Sequence, residues 1–131
     1  MPLSPSEMSQ PTLYVLEDDA EIARLICMSL GEYGFRCEHV GTGRQLLARA
    51  RQSPPDLCIV DLGLPDMDGS EVAMRIKQHD SWAHIRTIAV TGDAGADAVR
   101  DPAATGFDAH VVKPFSGADL MAVIDRVFGG G

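Results

Sequence analysis

The chain has 131 residues, 45% of them hydrophobic and 23% charged, with 11 Lys and Arg against 19 Asp and Glu for a formal net charge of −8. One domain of this size buries most of its apolar surface without covalent staples. The acidic balance leaves no basic footprint for a nucleic-acid backbone and disfavours docking on anionic membranes. No apolar run approaches the roughly 20 residues of a membrane span.

The opening stretch MPLSPSEMSQP has neither the positive region nor the apolar core of a signal peptide, and reads as a disordered lead over residues 1–11. A single domain is expected over 12–128, followed by a flexible glycine tail at 129–131. The first strand, Leu13–Leu16, runs directly into three carboxylates, Glu17-Asp18-Asp19. Ile22, Leu25, Ile26, Ser29, Leu30 and Tyr33 then share one helical face, with Asp19 placed as its cap and Gly34 as its stop. Phe35–Val40 is the most polar of the strand-like runs, as an edge strand can be. A helix over Gln45–Arg51 ends at Ser53-Pro54-Pro55.

Leu57–Val60 is the third strand, Glu71–Gln78 a helix with Val72 and Ile76 inward, and Ile85–Val90 the fourth strand. Ala94–Thr105 has helical composition that Pro102 should cut short. Ala109–Val112 is the fifth strand. Ser116 opens the last helix, with Asp119 at capping-box distance and Leu120, Val123, Ile124 and Val127 as its apolar face. Cys27, Cys37 and Cys58 show no zinc-ligand spacing and are expected as reduced structural residues of a cytoplasmic protein. The four histidines form no ligand pattern.

Strands alternating with helices imply an α/β fold with a doubly wound parallel sheet covered on both faces. Such sheets bind ligands at the carboxyl ends of their strands, where the strand order reverses. Polar residues collect at those ends: Glu17-Asp18-Asp19 after the first strand, Asp61 after the third, Thr91 after the fourth and Lys113-Pro114 after the fifth. Adjacent carboxylates repel and are costly to desolvate unless positive charge sits between them.

Glu17-Asp18, the stretch Asp61-Leu-Gly-Leu-Pro-Asp-Met-Asp-Gly69, Val90-Thr91-Gly92 and Val112-Lys-Pro-Phe115 together resemble the receiver domain of bacterial response regulators, of the chemotaxis-regulator-like superfamily, over nearly the whole chain. The resemblance implies a flavodoxin-like five-stranded sheet of order 2-1-3-4-5. It also implies a two-component phosphorelay in which Asp61 is the phospho-acceptor, forming an aspartyl phosphate. Glu17, Asp18, Asp61 and the backbone carbonyl of Gly63 would hold one Mg²⁺, whose charge supports in-line phosphoryl transfer. Lys113 and the Thr91 hydroxyl would meet phosphoryl oxygens, and Pro114 would follow a cis peptide. Asp19 would cap the helix rather than bind metal.

In the same resemblance Thr91 would move on phosphorylation and let a ring on the fifth strand rotate. That ring position holds His110 here, where the family more often has Tyr or Phe. Pro102 is a second departure, at the surface receivers often use for output. The implied partners are a sensor histidine kinase or histidine phosphotransfer protein and an unknown downstream protein, with no direct nucleic-acid or membrane partner. The implied protein is not an enzyme on other substrates but catalyses its own phosphorylation and dephosphorylation. It would act alone, or as a piece of a larger hybrid kinase or regulator.

Two other readings compete. Asp66-Met-Asp-Gly-Ser70 resembles the Asp-x-Asp-Gly-Thr/Ser motif of haloacid-dehalogenase-type phosphatases, but it lies inside a loop instead of directly after a strand near the chain start. A receiver-like binding module that is never phosphorylated would be expected to lack a metal ligand, the acceptor or the lysine, and all are present.

Overall fold

The structure, a computed structural model, describes residues 10–62, 69–91 and 106–129. Its five strands are β1 Thr12–Leu16, β2 Arg36–Val40, β3 Leu57–Asp61, β4 Arg86–Thr91 and β5 Ala109–Val112. They form one sheet in the order β2-β1-β3-β4-β5, every neighbouring pair parallel. The described helices are α1 Ala20–Gly31, α2 Gly43–Gln52, α3 Gly69–Gln78 and α4 Gly117–Gly129, with a short 3₁₀ turn at Asp80–Trp82 before β4.

Successive side chains of a strand point to opposite faces, so a strand covered on both sides must be apolar throughout. That is why Leu13–Leu16 of β1 and Leu57–Val60 of β3 read as unbroken hydrophobic runs. Leu13, Val15, Leu57, Ile59, Ile88 and Val90 pack under α1 and α4, against Ala23, Ile26, Leu30, Leu120 and Ile124. The intervening Tyr14, Leu16, Cys58, Val60 and Ala89 pack on the other face under α2 and α3, against Leu46, Leu47, Ala50, Val72 and Ile76. The chain reverses direction across the sheet between β1 and β3, which opens a crevice at their carboxyl ends.

Local capping sets the helix starts. Asp19 Oδ1 accepts from the backbone N–H groups of Glu21 (2.9 Å) and Ile22 (3.4 Å), and Thr42 Oγ1 from that of Gln45 (3.1 Å). Thr42 thereby starts α2 at Gly43, ahead of the expected Gln45. Ser116 and Asp119 form the reciprocal capping box, both bonds at 3.0 Å. Gly34 adopts φ 97°, the left-handed conformation that lets the chain turn out of α1 toward β2. At the margins, Pro11 is buried with its carbonyl accepting from Arg36 N–H at 2.8 Å, and α4 runs to Gly129.

Two expectations need correction. The inward stripe of α1 is Ala23, Ile26 and Leu30, whereas Leu25 is 63% exposed and Tyr33 lies beyond the helix, 50% exposed. The buried residues are three and four apart, so the stripe runs along the Ala23 side of the helix and leaves Leu25 beside it. Cys27 on α1 and Cys37 on β2 are joined by a disulfide, Cα–Cα 5.3 Å, and are not separate thiols. The helix runs back along the strand that follows it, so two residues 10 apart in sequence face each other. Cys58 is a buried free thiol whose pKa burial pushes up. The helical expectation for 94–105, with Pro102, lies outside the described residues.

Candidate metal and phosphoryl site

Each strand that ends in the crevice delivers a polar side chain there. Glu17, immediately past β1, is 2% exposed; Asp18 next to it is exposed; Asp61, the last residue of β3, is partly buried. One carboxylate oxygen from each lies within 4.8 Å of the others. From β5, Lys113 reaches the same point, its Nζ 3.6 Å from Glu17 Oε2 and 3.8 Å from Asp61 Oδ2. Burial pushes the Glu17 carboxyl up to about 7; the neighbouring Asp61 carboxylate adds to the rise, and the Lys113 ammonium and the Asp19 N–H oppose it. One lysine does not balance three carboxylates. Three hard oxygens that cannot all be anionic together at low cost are the donor set of a divalent cation site.

Backbone bonds place the remaining residues. Leu62 N–H donates to Val90 O (3.1 Å), and Lys113 N–H donates to Thr91 O (2.7 Å), locking the ends of β3, β4 and β5 together. Thr91 is 7% exposed at the end of β4. The Lys113–Pro114 peptide is cis. A Cβ at Gly69, the first residue of α3, would stand 3.1 Å from the Asp61 carbonyl oxygen, so glycine allows that helix to start hard against the site.

Of the residues singled out from sequence, Glu17, Asp18, Asp61 and Lys113 meet, Thr91 sits one register position beyond the partner of Asp61, and Gly63 lies outside the described residues. Asp19 faces the helix as its cap. His110 pairs Ala89 in the sheet and is half-buried, with its Nδ1 buried and unpartnered. His39, not among the residues expected from sequence, has its Nε2 2.7 Å from the Glu17 carbonyl oxygen. Its only trace in the sequence is a polar residue near the end of an edge strand. An apolar groove beside Lys113, which no sequence pattern marks, is lined by Ile22, Leu25, Ile26, Phe115 and Leu120.

A doubly wound sheet with an acidic triad and a lysine at its switch point defines the class of the protein. A model of the response regulator receiver domain matches residues 13–125, and the chain belongs to that family. It is 32% identical over 112 residues to the phosphate regulon transcriptional regulatory protein PhoB of Rhizobium meliloti, covering 86% of this chain and 49% of that protein. The chain thus spans about half the length of the curated relatives it matches. The chemotaxis response regulator CheY4 of Vibrio cholerae superposes with a TM-score of 0.83 at 23% identity, covering 90% of this chain and 98% of that one. The receiver domain of the sensor histidine kinase PA1611 of Pseudomonas aeruginosa, solved with magnesium in its active-site cleft, gives 0.82 at 24% identity, covering 92% and 98%. At these identities the structural likeness is one of fold.

Proposed function

We propose that this chain is the phospho-acceptor of a two-component phosphorelay: Asp61 takes a phosphoryl group from a histidine kinase or histidine phosphotransfer protein, and the modified chain changes a protein-binding surface. The observation that carries this reading is the meeting of Glu17, Asp18 and Asp61 within 4.8 Å, with the Lys113 ammonium against two of them. The donor set fits Mg²⁺, and the residues to hold it are Glu17, Asp18, Asp61 and the Gly63 carbonyl. When bound, Mg²⁺ supplies the charge that neutralises phosphoryl oxygens.

The rest is the work of the chain. An Asp61 carboxylate oxygen forms the new bond to phosphorus as the phosphorus–nitrogen bond of a phosphohistidine donor breaks, the imidazole leaving with the electron pair. Lys113 pairs with one phosphoryl oxygen, exchanging its carboxylate contacts for it, and the Thr91 hydroxyl meets another. Movement of Thr91 toward the phosphoryl group would be read at the His110 position. The same groups, with water in place of the donor, would serve hydrolysis of the acyl phosphate. The groove along Leu25 and Phe115 offers a protein donor an apolar surface beside Lys113.

The proposed placement is cytoplasmic. No helix among the described residues is long and apolar enough to cross a membrane. Disulfides persist mainly in oxidising compartments, so trapping the Cys27–Cys37 pair by alkylation in cells tests that placement: an intact bridge there argues against it. Relatives named as transcriptional regulators extend well beyond the matched span, and the net charge of −8 gives this span no basic surface for nucleic acid.

The test is mass spectrometry after incubation with acetyl phosphate, with and without Mg²⁺, on wild type and Asp61→Asn. A Mg²⁺-dependent, hydroxylamine-labile gain of one phosphoryl group, absent in the variant, is the expected result. No gain with acetyl phosphate or with phosphohistidine donors, and no response to beryllofluoride, would leave the chain a receiver-shaped binding module.

A further inference from the structure

The β1–β2 ladder ends at the pair Leu16 and Val40, so the Glu17 carbonyl is the first beyond it. His39, which pairs Val15 in that ladder, reaches forward with its ring to this carbonyl, Nε2 to O 2.7 Å. A carbonyl oxygen only accepts, so Nε2 carries the proton and donates it. The carbonyl belongs to the peptide group that joins Glu17 to Asp18. One bond from β2 therefore sets the plane from which both carboxylates project.

That turn is held against a repulsion. Glu17, Asp18 and Asp61 bring carboxylate oxygens within 4.8 Å, and the exposed Asp18 would relieve the strain by swinging into solvent. The Asp19 N–H to Glu17 Oε1 bond (3.3 Å) and the Asp19 cap on α1 are local restraints, made within the turn itself. The His39 bond spans 22 residues and ties the turn to the sheet.

We propose that His39 is a positioning residue for the metal site: its Nε2–H fixes the Glu17–Asp18 peptide group so that both carboxylates stand ready opposite Asp61. The inference rests on the receiver reading above. Groups that orient metal ligands without touching the metal are worth about 10–100-fold in affinity.

The experiment is a Mg²⁺ titration by calorimetry of the full chain as wild type, His39→Ala, His39→Gln and His39→Asn, with thermal stability of each measured in chelator. Gln carries an amide N–H at the reach of Nε2, whereas the Asn amide stops at the reach of Nδ1. His39→Ala and His39→Asn are expected to bind Mg²⁺ about tenfold more weakly or worse, with His39→Gln recovering most of the loss. If His39→Ala does not fold, the Gln and Asn pair carries the comparison. Wild-type affinity in the Ala or Asn variant, or a Gln variant as weak as Asn, overturns the proposal while leaving the receiver reading intact. A wild-type chain that binds no Mg²⁺ overturns the phospho-acceptor reading and this inference with it.

Discussion

Glu17 shows how a single residue's chemistry depends on where the chain puts it. On sequence it is one of three consecutive acids; in the fold it is 2% exposed, its carboxyl pushed up to about 7 by burial and by Asp61. A carboxyl whose folded pKa is raised holds its proton longer in the native state than in the unfolded one. Its stabilising effect is complete below the ordinary value of 4.5 and lost as pH rises through about 7. Urea midpoints in chelator should therefore fall across that window, and saturating Mg²⁺ should remove the fall by replacing the proton with metal. Glu17→Gln should flatten the metal-free profile and weaken Mg²⁺ binding together. A profile that Glu17→Gln leaves unchanged would assign the slope to other groups. Lys113→Ala, which removes the ammonium 3.8 Å from Asp61, should slow phosphorylation by acetyl phosphate about a hundredfold, read by mass spectrometry over time.

Among the elements, α1 and β2 carry the clearest surprise. Their disulfide closes a loop with a sequence separation of 10, and in the chain-entropy account a loop of that length stabilises by about 2–3 kcal/mol. Reducing agent, or Cys37→Ser, should lower the urea-derived stability by about that amount. A change within error would mean that packing against the core already restrains the two elements. α4 makes a smaller case: Ser116→Ala removes one half of the capping box and should cost about 1 kcal/mol. The cap was readable from sequence because its residues lie three apart, within one turn. The disulfide was not readable, since it depends on the angle at which α1 lies back on β2. Nor was the exposure of Leu25, which depends on which side of α1 meets the sheet.

The whole molecule carries a net charge of −8, with three of its carboxylates gathered at one sheet edge. Self-repulsion of that kind opposes the compact state and is screened by salt. Sodium chloride should raise the melting temperature modestly, and MgCl₂ at equal ionic strength should raise it further, because a specific ligand adds its binding free energy to native stability. Equal effects of the two salts would count against a metal site. The two-faced core explains why the fold was legible: central strands buried on both sides are mostly apolar, and the helices between them stop just ahead of Gly34 and of Pro54-Pro55.

The order of the elements, the parallel sheet and the residues at the strand ends are written in the chain, because periodicity, capping and strand termini are local patterns. Family resemblance joined those ends into one expected site. It takes the folded chain to bury Glu17 while leaving Asp18 exposed, to set Lys113 3.6 Å from Glu17, to bring His39 onto the Glu17 carbonyl and to join Cys27 to Cys37. Each of these is a relation between chain segments far apart in sequence. They are set by strand register and by the distance at which a helix packs on a sheet, which no local pattern encodes.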